Sequence, residues 1–108
     1  MARKSTYRPV TIQRHFTRVA DKGCVVCGAP CEIHHVTGYA DRMGRITRSD
    51  ERVVGLCPKH HRCGAEGGWD HSVEALGHAG FFNKYGIDLL AEADRLWNES
   101  MELERRAA

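Results

Sequence analysis

Leu56-Cys57-Pro58-Lys59-His60-His61-Arg62 decides how the rest of this chain folds. Cys57-x-x-His60 is a closely spaced pair of metal-ligand types, and Pro58 suits the first turn of a helix. Successive helical residues point about 100° apart. His60 can therefore face a metal knuckle while His61 turns the other way, toward the strands that precede it.

Upstream, Cys24-Val25-Val26-Cys27-Gly28 supplies a second pair at the same spacing. Cys24, Cys27, Cys57 and His60 make four soft or borderline ligands, the number and chemistry that Zn2+ prefers. A site filled by four protein ligands leaves no position for water, so this zinc is expected to be structural. It would pin the loop before the first strand to the start of the helix, a tether that matters in a chain of only 108 residues.

Working outward, Cys31 to Val36 reads as a short strand and Val53-Val54-Gly55-Leu56 as another. Thr37 to Ser49 between them is polar and arginine-rich, with Gly38 and Gly44, and reads as a loop. The helix opened by Pro58 is expected to end at Gly64, Gly67 and Gly68. Thr11 to Ala20 carries Ile12, Phe16 and Val19 at helical spacing, with Gly23 as a stop. A longer helix is predicted over 88–105, with Asp88 as N-cap and Leu89, Ala93, Leu96, Trp97 and Met101 as its apolar face. Trp69 to Gly80 shows no decisive pattern. The fold class is α+β: a zinc-stapled strand–strand–helix core with flanking N- and C-terminal helices. A basic arm and helix is assigned to 1–18 and the main domain to 19–108.

Composition sets the outer limits. Apolar residues make up 42% and charged residues 28%, which fits a globular chain and not a disordered one. No apolar run is long enough for a membrane helix, and no apolar stretch follows the basic N-terminus as a secretory signal requires. The chain is therefore expected in a reducing cytoplasm. There, five cysteines and seven histidines speak for metal rather than disulfides. Net charge is only +2, but its distribution is uneven. Arg3, Lys4, Arg8, Arg14 and Arg18 have no acid among them, Arg42, Arg45, Arg48, Arg52 and Arg62 follow, and most acids lie near the C-terminus. That asymmetry fits one phosphate-facing side, with Arg42, Arg45, Arg48 and Arg62 as candidate DNA contacts.

With the zinc ligands assigned, His34, His35, Asp50 and His61 remain. Phosphodiester cleavage needs an activated water and a cation to stabilise charge on the phosphate and leaving oxygen. A neutral imidazole can take the proton from water, and others can bind a divalent ion through nitrogen. Neighbours on a regular strand point to opposite faces, so His34 and His35 converge only if the strand ends or twists there.

Cys24-x-x-Cys27, Glu32-x-His34-His35-Val36, Asp50 and Leu56-Cys57-x-x-His60-His61-Arg62, in that order, resemble the HNH, or His-Me finger, nucleases with an added zinc knuckle. Gly80-Phe81-Phe82 and Tyr85-Gly86-Ile87-Asp88 are similar to the phage recombination-enhancement subgroup. The resemblance spans roughly Val19 to Trp97 and implies a ββα-metal core around one catalytic divalent ion, Mg2+, Mn2+ or another. It implies a metal-dependent DNA endonuclease in a bacterial host cytoplasm, with DNA as partner and a recombinase filament as a further one. By position, His35 would be the general base, His34 and His61 the ligands of the catalytic ion, and Asp50 the residue that orients the base. In many members the middle residue lies about two positions later, where this chain has Arg52. Ala65 stands where a further histidine is common, which leaves His71 as the first and His78 as the second candidate for a third ligand, with water and phosphate otherwise filling the shell.

Other residues have plainer readings: Cys31 and Cys63 as small buried hydrophobes, His15 as a surface residue and Trp69 as core. A second functional reading, a non-catalytic zinc module that binds nucleic acid, needs only the four knuckle ligands and the basic arm.

Overall fold

The computed structural model describes residues 8–36, 49–62, 64 and 70–108. Arg42, Arg45, Arg48, Cys63, Ala65 and Trp69 lie outside them.

Among the described residues the order is α1 (Val10–Lys22), β1 (Glu32–His35), β2 (Val53–Leu56), α2 (Pro58–His61), α3 (Val73–Tyr85) and α4 (Leu89–Ala107). β1 and β2 pair antiparallel, with Glu32 opposite Leu56, Ile33 opposite Gly55, His34 opposite Val54 and His35 opposite Val53. Side chains alternate across a strand, so this register gives the sheet two distinct faces. Glu32, His34, Val54 and Leu56 share one; Ile33, His35, Val53 and Gly55 share the other.

β2 is the centre of the molecule. All four of its residues are buried, and Val53, Val54 and Leu56 are fully so. A short strand this apolar has to be covered on both sides. α1 and α4 pack against it together with Val19, Leu89, Ala93 and Leu96, while Val73 and Phe81 of α3 extend the same core. Gly55 is a glycine for want of room. A Cβ there would lie 2.6 Å from the Cys31 thiol and 2.8 Å from the Gly23 carbonyl. The knuckle closes onto the strand at this point, since Val25 N–H donates to the Gly55 carbonyl.

α4 starts where the sequence places it. The Asp88 carboxylate accepts from the backbone N–H groups of Leu90 and Ala91, which caps the helix. Its buried seam is Leu89, Ala93, Leu96 and Ser100, with Trp97 and Met101 half-buried beside it. Ser100 replaces an apolar residue in the seam because its hydroxyl accepts from Arg18 on α1 at 2.6 Å. α1 runs antiparallel to α4 and crosses the 18/19 boundary without a break. Its basic residues meet the acids of α4: Arg14 and Arg18 both reach Glu104, and Lys22 reaches Glu99. Among the described residues, these three basic side chains of α1 are thus paired with acids of α4.

Two elements differ from the sequence-based expectation. α2 is a single turn, ending at Arg62, which is already extended at φ −116° and ψ 131°. α3 occupies the stretch without a decisive pattern. Ser72 caps it through the Ala75 N–H, and Gly86 ends it in the left-handed conformation at φ 72°. A break at Gly77, with φ 71° and ψ 171°, divides it. That conformation suits glycine and disrupts the helical periodicity that would have marked the element.

Candidate functional site

Cys24, Cys27, Cys57 and His60 form a cluster able to hold a metal ion, their ligand atoms all within 4.8 Å of one another. Zinc–sulfur bonds of about 2.3 Å and zinc–nitrogen bonds of about 2.0–2.1 Å at tetrahedral angles separate sulfurs by about 3.8 Å, and sulfur from nitrogen by about 3.6 Å. Here Cys27 Sγ and Cys57 Sγ are 3.8 Å apart. His60 Nδ1 lies 3.6, 3.8 and 3.1 Å from the sulfurs of Cys24, Cys27 and Cys57. The donor set is that of a zinc site, and the spacings, apart from the short Cys57–His60 contact, are consistent with one.

Local backbone geometry builds this cluster. Val26 N–H donates to Cys24 Sγ, and Gly28 N–H to the Cys24 carbonyl, folding the knuckle back on itself. His60 and His61 N–H groups both donate to the Cys57 carbonyl, so the single turn of α2 aims His60 at the cysteines. Three thiols in one place cannot all ionise without a cation. Burial, with the thiols of Cys27 and Cys24, pushes Cys57 up to about 11. Burial also raises Cys24, but backbone donors from Cys57, Cys27 and Val26 outweigh it and pull that thiol below its ordinary value. Burial, helped by Lys59, His71 and Lys84, lowers His60 and keeps it in the neutral form that binds metal.

His61 points away from this cluster, as its place on the helix requires. It turns to the sheet face that carries Glu32 and His34. Its Nδ1 lies 2.8 Å from Glu32 Oε1. An ionised carboxylate only accepts, so Nδ1 carries the proton and the lone pair sits on Nε2. The hydrogen bond from His61, then the Arg62 guanidinium, hold Glu32 below the usual carboxylate range. The rings of His34 and His61 have centroids 5.0 Å apart. His78 of α3 joins them, its Nε2 3.4 Å from His34 Nε2, and burial lowers its pKa. His34, His61, Val73, Glu74 and His78 line a cavity of about 220 Å³.

His35 is on the other face. β1 stays regular through His35, so the strand alternation that could have been relaxed by a twist is kept, and His34 and His35 diverge. The His35 ring stands edge-on to Phe16 of α1, with centroids 6.1 Å apart. Its Nε2 lies 2.7 Å from Asp50 Oδ1, and the second oxygen of Asp50 accepts from Arg8 Nε at 3.2 Å. Burial alone would raise Asp50; the His35 hydrogen bond and the Arg8 charge outweigh it and hold the carboxyl below its ordinary value. If Nε2 donates its proton to the Asp50 carboxylate, the tautomer is the one with Nδ1 unprotonated.

No protein-family model matches this chain, and neither does any curated protein or solved structure. The site stands on its own geometry.

That geometry redistributes several residues. Asp50, not Arg52, is the residue beside His35; Arg52 instead offers its carbonyl to Val36 N–H. His71 is held elsewhere, with Nε2 3.0 Å from Asp70 and Nδ1 3.2 Å from Lys84 Nζ, while His78 faces the cavity. Arg62 forms an ion pair with Glu32 at 2.9 Å, and the other arginines proposed for DNA lie outside the described residues. Glu32 received no role from its sequence context. Its signal was the i, i+2 spacing to His34, which puts both on one strand face. Cys31 is half-buried, its thiol 3.7 Å from the Ala20 carbonyl, with burial raising its pKa. His15 is fully buried between α1 and α4, not on the surface.

Proposed function

We propose that this chain is a metal-dependent DNA endonuclease of the HNH, or His-Me finger, type, with a structural zinc in the Cys24–Cys27–Cys57–His60 cluster. One observation carries the reading: adjacent histidines of one strand have different surroundings. His34 lines a histidine cavity with His61, and His35 is hydrogen-bonded to a carboxylate. The antiparallel strand pair followed by the turn of α2 supports a ββα arrangement around that cavity.

A divalent ion held by His34 and His61 would stabilise negative charge on the phosphate and the leaving oxygen. The chain's own residues supply the rest. Asp50 holds His35 in the tautomer whose Nδ1 can accept a proton, as carboxylate–imidazole pairs do in other hydrolases. Water oxygen attacks phosphorus as the bond to the leaving oxygen breaks, and the water proton passes to His35 Nδ1. β1 is one of the two edges of the two-stranded sheet, and a phosphodiester lying across it would have the cavity on one side and His35 on the other. Glu32 keeps the His61 Nε2 lone pair available for the ion.

The alternative of a zinc module that only binds nucleic acid gains no support from α1, whose Arg14, Arg18 and Lys22 are occupied by α4. It also gives His35 and Asp50 nothing to do. No described helix is long and apolar enough to cross a membrane. Residence in a bacterial cytoplasm and a recombinase-filament partner rest on the family resemblance.

Cleavage of supercoiled plasmid with added divalent ions tests the reading. His35→Ala is expected to cut about 10²–10⁴-fold more slowly while its zinc content and circular dichroism stay those of the parent. Parent-like cleavage by that variant would exclude His35 as the base. Repeating the assay with a recombinase filament tests the proposed partner.

A further inference from the structure

His78 lies on a helix outside the strand–strand–turn unit, yet it reaches the same cavity as His34 and His61. Its Nε2 is 3.4 Å from that of His34. A hydrogen bond between two neutral ring nitrogens would sit closer to about 3.0 Å. Two nitrogens bound to one ion at about 2.0–2.1 Å are separated by about 3.3 Å at a tetrahedral angle. The observed spacing suits a shared ion as well as it suits a long N–H···N hydrogen bond. His61 brings the third nitrogen, since Glu32 takes its Nδ1 and leaves Nε2 as the ligand atom. Histidines from β1, α2 and α3 thus line one cavity, with the His34 and His61 ring centroids 5.0 Å apart and those of His34 and His78 5.6 Å apart.

We propose that His78 completes a three-imidazole shell with His34 and His61, and that this shell selects a transition-metal ion over Mg2+. The inference rests on the metal-dependent reading above and adds a ligand and a metal class to it. Imidazole nitrogen suits Mn2+, Co2+, Ni2+ and Zn2+, whereas Mg2+ takes oxygen ligands and keeps its waters. Glu74, on the cavity wall, is the described carboxylate nearest in sequence to His78 on the same helix. Gly77 contributes by position. Its left-handed break lies directly before His78, so it sets the direction in which the second half of α3 leaves.

Because the ion would join three elements, binding should have a structural readout separate from cleavage. Zinc-loaded protein is titrated with Co2+ while visible absorption and hydrogen exchange across α3 are followed. The parent is expected to take one Co2+ beyond its zinc, without the charge-transfer band of a thiolate ligand, and to gain exchange protection over 73–80. His78→Ala and His78→Gln should weaken that binding at least about 10-fold and lose the added protection, with zinc content unchanged. His71→Ala should behave as the parent, and a 100-fold excess of Mg2+, roughly, should fail to displace the Co2+.

If both His78 variants bind as the parent does while His34→Ala and His61→Ala do not, the third ligand is refuted and the nuclease reading stands. Displacement by equimolar Mg2+ would refute the metal preference. A parent that binds no second ion would bring down this proposal and the metal-dependent reading together.

Discussion

His15 sits between α1 and α4 with neither ring nitrogen hydrogen-bonded among the described residues, its ring edge-on to Trp97 at 4.9 Å. Burial, and then the neighbouring Arg18 charge, lower its pKa. The folded protein therefore keeps His15 neutral, while the unfolded chain protonates near its ordinary value of about 6.5. Below that pH the unfolded state binds a proton that the folded state refuses, so stability falls as pH drops. His15→Leu removes the group. Relief from unsatisfied buried nitrogens, about 1–3 kcal/mol, outweighs loss of the Trp97 contact, about 0.5–1.5 kcal/mol, for a net gain near 1 kcal/mol. The advantage over the parent should be larger at pH 5.5 than at pH 7.5 in denaturant melts, values roughly one unit either side of the ordinary histidine pKa of about 6.5. Equal gaps at the two values would mean that His15 titrates alike in both states. Position 15 was open to this reading in the sequence: it lies three residues after Ile12 and four before Val19, on the stripe that packs inward.

At the scale of elements, periodicity tells more than residue type. The alternation of β1 separates His34 from His35 and joins Glu32 to His34, a consequence of the strand pattern that the paired histidines obscure. α4 is readable because an Asp88 cap opens an uninterrupted apolar face. α3 is not, although Ser72 and Gly86 mark both its ends, because Gly77 breaks the repeat between them. His78 was therefore one candidate ligand without an address. Only folding brings it to His34, forty-four residues away in sequence. Gly55 shows the reverse, a glycine in a strand whose reason lies in a neighbouring loop. A Cβ at Gly55 cannot fit 2.6 Å from Cys31 Sγ unless the knuckle or the strand moves. Gly55→Ala should cost about 1–3 kcal/mol, read from the shift of the denaturation midpoint. A change below about 0.5 kcal/mol would show that β2 yields easily to the Gly23–Cys31 loop.

For the whole molecule, the Cys24–Cys27–Cys57–His60 cluster, which could hold zinc, links what the small sheet cannot hold alone. β1 and β2 are four residues each, and an isolated two-stranded hairpin is marginal in water. The chain adds α1 and α4 on one sheet face and anchors the opposite end through Cys24, Cys27, Cys57 and His60. The ion pairs between α1 and α4 are exposed or half-buried and contribute little each, about 0–1 kcal/mol, so salt should not unfold the protein. Metal removal should. The Cys57 thiol, at about 11, stays protonated at neutral pH without a cation, and the buried His60 loses its partner. Binding free energies of structural zinc reach about 10–16 kcal/mol in small domains, comparable to or larger than the whole stability of a chain this size. A strong chelator at pH 7 should therefore abolish the cooperative thermal transition, and one equivalent of Zn2+ should restore it. Cys27→Ser tests the same link from the exposed side of the cluster, where the substitution disturbs packing least. It should need a higher zinc concentration for the same midpoint. If the chelated protein instead melts cooperatively at the parent's midpoint, the cluster is not the staple, and the stability must come from the α1–β2–α4 core alone.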